Sequence, residues 1–149
     1  MNPQVVQVLL GRTLTLDSFP AARLSGYCRY PVKNYVFPGM VEHPDPDKFV
    51  MGCLLENLSP LDVKLFDWFE GNEYSRKLVK VSRIGGKDDD DTDVEAHAYI
   101  WKEELLNELE RDGDEWDYET FCKQNLDWYL TNVVRPCRKE TEDLGMTKL

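Results

Sequence analysis

The sequence lacks both a long apolar run and an excess of basic residues. No hydrophobic stretch approaches the roughly 20 residues of a membrane-spanning helix, and the first residues lack the basic start and apolar core of a secretory signal. The 18 lysines and arginines are outnumbered by 28 aspartates and glutamates, so the net charge is −10. This balance disfavours a general nucleic-acid binder, because phosphate contacts need clustered cations. These absences predict a cytoplasmic protein that binds neither nucleic acid nor a membrane.

Metal and disulfide patterns are also absent from the sequence. The four cysteines are widely spaced with no Cys-x-x-Cys pair, which predicts free thiols rather than a zinc site or a disulfide framework. The two histidines, His43 and His97, are far apart and belong to no metal-binding motif. The aspartate run at 88–91 lacks the glycine and glutamate spacing of an EF-hand, so it predicts a solvated hairpin tip. We therefore expect no bound metal.

The apolar residues that are present repeat with helical spacing in three segments. Residues 2–11 and 59–71 begin with Asn2 and Ser59, each followed by proline, and end at glycine, which is typical of a capped helix. The third pattern starts at Tyr118 and is predicted to stop near Pro136. Three helices are therefore expected.

Strand patterns fill most of the remaining sequence. Aromatic and β-branched residues favour strands over 24–30, 35–41, 49–55, 76–84 and 94–101. Helices and strands that do not alternate regularly predict an α+β fold. We expect a single domain over residues 1–137, followed by a polar C-terminal tail over 138–149.

Glu70 stands out among the acidic residues because it ends the second predicted helix directly after the aromatic Trp68 and Phe69. A carboxylate beside aromatic surface is partly desolvated, which raises its pKa. A glutamate with a raised pKa can serve as a general base near neutral pH. The alternative is an acid that is simply solvated at a helix end, and this is the commoner arrangement.

Three segments together resemble the gamma-glutamylcyclotransferase-like family, in particular its avirulence-induced-gene-like branch. Residues 26–39 look like the family's "Gly-Tyr … Tyr-Pro-Gly" strands. Residues 50–59 look like its "Val-x-Gly-x-Leu … Leu-Ser/Thr" step, and residues 65–76 look like its "Leu-Asp-x-Phe-Glu-Gly-x-x-Tyr-x-Arg" core. Each segment alone is weak evidence for the resemblance, but the three segments together are specific to this family.

The resemblance implies a fold, a reaction and a site. The fold is a small mixed β-barrel of gamma-glutamylcyclotransferase-like type with flanking helices. The reaction converts a small gamma-glutamyl compound to 5-oxoproline and releases the attached amine, with no metal or organic cofactor. Glu70 matches the family's proton acceptor. Tyr74 is expected near the substrate pocket, or alternatively caps the core with its hydroxyl in water.

One family feature is missing from the sequence. The family's Tyr-Gly-Ser/Thr-Leu substrate loop precedes the opening helix, and residues 1–10 already match that helix. We therefore expect the chain to begin just after this loop. The absence raises an alternative function, a non-catalytic binding or regulatory domain on the same scaffold. The particular gamma-glutamyl compound and the oligomeric state stay open.

Overall fold

A computed structural model of the chain describes residues 1–15, 19–85 and 92–148. The chain divides into two compact units. The first, which we call the helical unit, comprises Met1–Phe19, Leu55–Gly71 and Tyr118–Leu149; the second, which we call the strand unit, comprises Pro20–Leu54 and Asn72–Asp117. The predicted hairpin tip at 88–91 lies outside the described residues. Within the described ranges, no helix has the length and apolar character needed to cross a bilayer.

The α-helices of the described residues lie in the helical unit, whereas the strand unit has a 3-10 helix at Glu103–Glu108. The α-helices are α1 (Pro3–Leu10), α2 (Pro60–Glu70), α3 (Tyr118–Gln124), α4 (Leu126–Tyr129) and α5 (Arg135–Asp143), with a π-helical turn at Leu130–Val134 between α4 and α5. Helix α1 packs against both α2 and α5. The apolar stripes face inward, as helical spacing predicts; the buried side chains are Val5, Val6, Leu9, Leu10, Leu65, Phe66, Phe121, Leu126, Leu130 and Val134.

The first two predicted helices are confirmed, together with their caps. The Asn2 side chain accepts a hydrogen bond from the Gln4 backbone N–H at 2.8 Å. At α2, the Ser59 hydroxyl accepts from the Asp62 N–H at 3.2 Å, while the Asp62 carboxylate accepts from the Ser59 N–H at 2.8 Å. These bonds satisfy amide groups that have no partner inside a helix. Gly11 ends α1 with φ at +67°, a conformation that favours glycine.

The predicted helix stop near Pro136 is wrong, because the chain continues from the π-helical turn into α5. Pro136 lies in the first turn of α5, where a missing N–H breaks no hydrogen bond within that helix. Arg138 donates to the Leu9 carbonyl at 2.9 Å, and Thr141 is buried. Helix α5 thus runs without a break across residue 137, and the domain boundary placed there stays a prediction.

The described residues of the strand unit form six strands in two antiparallel sheets. They are β1 (Ala21–Ser25), β2 (Tyr27–Pro31), β3 (Pro38–Glu42), β4 (Phe49–Cys53), β5 (Tyr74–Arg83) and β6 (Asp93–Trp101). One sheet has the order β4-β1-β5-β6 and the other pairs β2 with β3. Strand β3 lies against β6, and β2 lies against β4. The α+β class is confirmed, whereas closure of the strands into a barrel stays a prediction.

Each predicted strand overlaps an observed one, with bounds that differ by up to three residues and with one division. Residues 24–30, expected as one strand, are split between β1 and β2 at Gly26, whose φ of +77° turns the chain. Two buried clusters hold the unit together. The first comprises Ala22, Leu24, Leu54, Val79 and Val81; the second comprises Cys28, Val32, Val41, Trp101 and Leu109.

Candidate functional site

Glu70 is the last residue of α2, at the point where the helix ends. Leu65 and Phe66 are buried and anchor this helix in the helical unit. Gly71 then stops the helix with φ at +72°, and its N–H donates to the Asp67 carbonyl. The anchored helix and its abrupt end fix the backbone from which the Glu70 side chain projects.

The Glu70 carboxyl is a weaker acid than an ordinary glutamate. Glu70 as a whole residue is partly exposed, but its carboxyl group lies among enough protein atoms that burial raises its pKa to about 7, with the positive amino terminus of Met1 acting in the opposite direction. The negative end of the α2 dipole also disfavours a charge at this position. A carboxyl that titrates near neutral pH can both accept and return a proton under ordinary conditions.

Aromatic rings of the helical unit gather beside Glu70. The Phe69 and Tyr129 rings meet edge to face with centroids 6.4 Å apart, and Tyr129 meets Phe121 in the same manner at 5.4 Å. Tyr129 is 9% exposed. Burial, followed by the charge of Glu70, raises the pKa of the Tyr129 phenol above its usual range. The phenol therefore stays protonated throughout the range in which Glu70 titrates.

The sequence did not single out Tyr129 as a site residue. Its helical spacing predicts only that it belongs to the apolar face of the third predicted helix. Its contact with Phe69, the residue before Glu70, arises from the packing of helices that are far apart in the chain. A π-helical turn, which is rare in proteins, follows Tyr129 directly at Leu130–Val134.

Tyr74, the second predicted site residue, begins β5 in the strand unit. Its hydroxyl donates to the Pro38 carbonyl at 2.6 Å, and its ring packs edge-on against Trp101 at 5.1 Å. The hydroxyl thus makes a hydrogen bond within the strand unit, which differs from the expected cap with its hydroxyl in water. The expected contact between Tyr74 and substrate stays a prediction.

Two other polar side chains, those of His43 and Asp62, have partners within the protein. His43 accepts a hydrogen bond from the Asp45 N–H at 3.1 Å. Asp62 forms a two-point ion pair with Arg12, at 2.7 and 2.9 Å. Across residues 1–15, 19–85 and 92–148, no group of three or more histidine, cysteine, aspartate or glutamate side chains is arranged to hold a metal ion.

Comparison with known proteins gives consistent matches. The model of the family described as "Gamma-glutamyl cyclotransferase, AIG2-like" matches residues 1–119. AIG2-like protein C of Arabidopsis thaliana is 31% identical over 130 residues, which is 87% of this chain and 69% of that protein. Protein AIG2 C of the same plant is 34% identical over 119 residues, which is 80% of this chain and 65% of that protein.

Solved structures agree with these matches. A solution structure of an Arabidopsis thaliana protein superimposes with a TM-score of 0.61 at 27% identity. The match covers 97% of this chain and 81% of that one. The family match includes Glu70 and Tyr74 and ends before Tyr129.

Proposed function

This chain belongs to the gamma-glutamyl cyclotransferase, AIG2-like family, and from that premise we propose that it converts a small gamma-glutamyl compound to 5-oxoproline. The observation that carries the proposal is Glu70, the family's expected proton acceptor, whose pKa burial raises to about 7. The proposed activity is that of a cyclising acyltransferase that needs no cofactor. The cytoplasmic location, and the absence of nucleic-acid and membrane partners, belong to the same proposal.

The proposed reaction is a ring closure within the substrate. The substrate's own α-amine nitrogen attacks its gamma-carbonyl carbon, a C–N bond forms, and an electron pair moves to the carbonyl oxygen. Glu70 takes a proton from the attacking amine. When the tetrahedral intermediate collapses, the bond to the leaving amine breaks and that amine takes up the proton. Because both reacting groups lie in one molecule, the protein has mainly to position the substrate and to move protons.

The pKa of Glu70 suits both proton transfers. An ordinary glutamate holds a proton too weakly to take one efficiently from an amine at neutral pH. A carboxyl whose pKa lies near the working pH is ionised often enough to accept the proton and acidic enough to return it to the leaving amine. The desolvated position at the end of α2 raises the pKa, and this effect exceeds the opposing effect of the positive amino terminus.

The proposal is tested by measuring 5-oxoproline release from a panel of gamma-glutamyl amino acids, gamma-glutamyl amines and glutathione. We expect the 149-residue chain to release 5-oxoproline from at least one class. The Glu70→Gln variant, which keeps the shape but not the base, should lose about 10²–10⁴-fold in rate. Glu73→Gln is the matched control, because Glu73 is an exposed glutamate three residues further along, and it should keep the wild-type rate.

Two outcomes would overturn the proposal. Absence of release from every substrate by a folded chain would leave a non-catalytic binding or regulatory domain. Wild-type turnover by Glu70→Gln would show that another group accepts the proton.

A further inference from the structure

Strand β4 forms an open edge of the four-stranded sheet. It pairs with β1 on one side, and within the described ranges no strand pairs with its other side. Two other edges in the strand unit are covered. Strand β6 lies against β3, and along β2 the backbone N–H groups of Trp116 and Glu110 donate to strand carbonyls, each at 2.9 Å. An open edge presents unpaired backbone groups to any strand that approaches it.

The backbone of β4 presents the N–H and C=O groups of Phe49 and Met51 to this open side. The Lys48 carbonyl accepts a hydrogen bond from the Gly26 N–H at 2.7 Å where the pairing with β1 begins. Backbone groups of successive residues in a strand point to opposite sides, so those of Phe49 and Met51 point away from β1. Among the described residues, these groups have no hydrogen-bond partner.

The side chains at this edge are apolar and exposed. Phe49 is 49% exposed and Met51 is 43% exposed, and both lie on the same face of the sheet because they are two residues apart. The Arg23 guanidinium lies over the Phe49 ring, 5.5 Å from its centroid, and holds it in place. Strand β4 contains no charged residue and no proline, which are the residues that protect an edge from pairing.

A second copy of β4 is complementary to this edge. When two copies meet antiparallel about a two-fold axis at Val50, Phe49 of each copy lies directly opposite Met51 of the other. The two residues of each such pair exchange both backbone hydrogen bonds, which uses the groups that point away from β1. Each pair also places a methionine sulfur against an aromatic ring, a favourable contact. Lys48 lies opposite Gly52 of the other copy, which has no side chain to oppose the approach.

We propose that the protein forms a two-fold homodimer through β4, so that the four-stranded sheets of two copies join at this edge. An uncharged strand meets its copy without like-charge repulsion, whereas a net charge of −10 over the whole chain keeps copies apart elsewhere. Because β4 has only five residues, the interface is small and the dimer is expected to be weak and reversible. The inference is independent of the proposed function, since β4 contains neither Glu70 nor Tyr74.

The first test is sedimentation of the full chain over a concentration series from about 5 to about 500 µM, the range in which a small interface associates. The mass should rise from 17.4 kDa toward twice that value. Met51→Lys places a charge at the open edge and should raise the dissociation constant about 10-fold or more. Leu78→Lys is the matched control, because Leu78 is 58% exposed but belongs to the interior strand β5, and it should dimerise like wild type.

The second test reports the register of the two strands and does not depend on Met51→Lys. Phe49→Cys and Met51→Cys, mixed in a glutathione redox buffer, should cross-link to each other, because residues in a hydrogen-bonded pair have Cα atoms about 5.5 Å apart, which suits a disulfide. Either variant alone should cross-link more slowly, since identical residues lie on a diagonal of about 7–8 Å. Wild type, which keeps the four native cysteines, measures the background.

Three results would overturn the proposal. The first is a mass of 17.4 kDa at every concentration, which would leave the edge open or reserve it for a different partner. The second is a Met51→Lys dimer as tight as that of wild type. The third is cross-linking of either cysteine variant alone as fast as that of the mixture.

Discussion

Glu70 is an acid whose ionisation opposes folding. Burial raises its pKa from an ordinary 4.5 to about 7. Below pH 4.5 the carboxyl is protonated in the folded and the unfolded chain alike, so its burial does not lower the free energy of unfolding. As the pH rises from 4.5 to 7, the unfolded chain ionises first, so the folded state loses stability over that window. Above pH 7 the loss is complete and constant.

Glu70→Gln removes this cost and should therefore be more stable than wild type only at higher pH. We expect the gap in unfolding free energy between variant and wild type to widen by about 1–3 kcal/mol between pH 4.5 and pH 8. Urea unfolding of both proteins at several pH values measures the gap. A gap that is the same at pH 4.5 and at pH 8 would contradict the desolvation of this carboxyl.

Single residues differ in how far the sequence reveals them. The raised pKa of Glu70 was predictable from the sequence, because the two aromatic residues before it and the glycine after it are adjacent in the chain. Tyr129 was not, because its contact with Phe69 joins residues sixty positions apart. The strand that Tyr74 begins was predicted to start only at residue 76, and the bond from Tyr74 to the Pro38 carbonyl depends on the pairing of distant strands.

At the scale of elements, α2 depends on a buried acid at its start. Asp62 is 3% exposed and combines the capping bonds to Ser59 with the ion pair to Arg12. The hydrogen bonds from Arg12, and secondarily those from Ser59, lower its pKa to about 2 despite the opposing effect of burial. This contribution is present above pH 3.8, the ordinary pKa, and is lost as the pH falls to about 2.

Asp62→Asn should therefore destabilise the protein by about 2–3 kcal/mol at pH 7, because it weakens the cap and leaves Arg12 without its carboxylate. Thermal or urea unfolding measures the effect. Asp127→Asn, which changes an exposed aspartate of α4, should stay within about 0.5 kcal/mol of wild type. Equal effects of the two substitutions would show that the Asp62 cap and ion pair do not stabilise α2.

The end of α1 gives a second prediction at this scale. Gly11 has φ at +67°, and a Cβ there would come within 2.7 Å of the Arg138 guanidinium. Gly11→Ala combines backbone strain with displacement of the group that binds the Leu9 carbonyl, so it should cost about 1–2 kcal/mol.

Gly113→Ala is the control for that measurement, because, among the described residues other than its two chain neighbours, no atom lies within 4 Å of the added carbon, and its φ lies outside the left-handed region. It should leave the denaturant midpoint nearly unchanged. If both alanine variants unfold at the same midpoint, α1 does not depend on Gly11.

Local sequence signals thus predicted where helices begin better than where they end. The caps at Asn2 and Ser59 placed the starts of α1 and α2, because a cap is formed by neighbouring residues. Pro136 was misread as a stop, since proline is equally suited to the first turn of a helix. No local pattern in the sequence predicts the π-helical turn before it.

At the scale of the whole molecule, the sequence predicted the α+β class but not the pairing of the strands. The order β4-β1-β5-β6 joins segments that are distant in the chain. The hydrophobic periodicity of a strand assigns each residue to one face of the sheet. The pairing of strands depends on which faces meet, and no local pattern in the sequence determines that. The family resemblance gave a fold type without a strand order, and the match over residues 1–119 confirms the family.

The most direct test of the account is the pH dependence of 5-oxoproline release by the wild-type chain and by Glu70→Gln. For the best substrate of the panel, kcat/KM should rise with pH, reach half of its plateau near pH 7, where half of the Glu70 carboxyl groups are ionised, and level off at higher pH. The variant should be inactive by comparison at every pH. A folded wild-type chain without release, or a variant that follows the wild-type profile, would contradict the assignment of Glu70 as the proton acceptor.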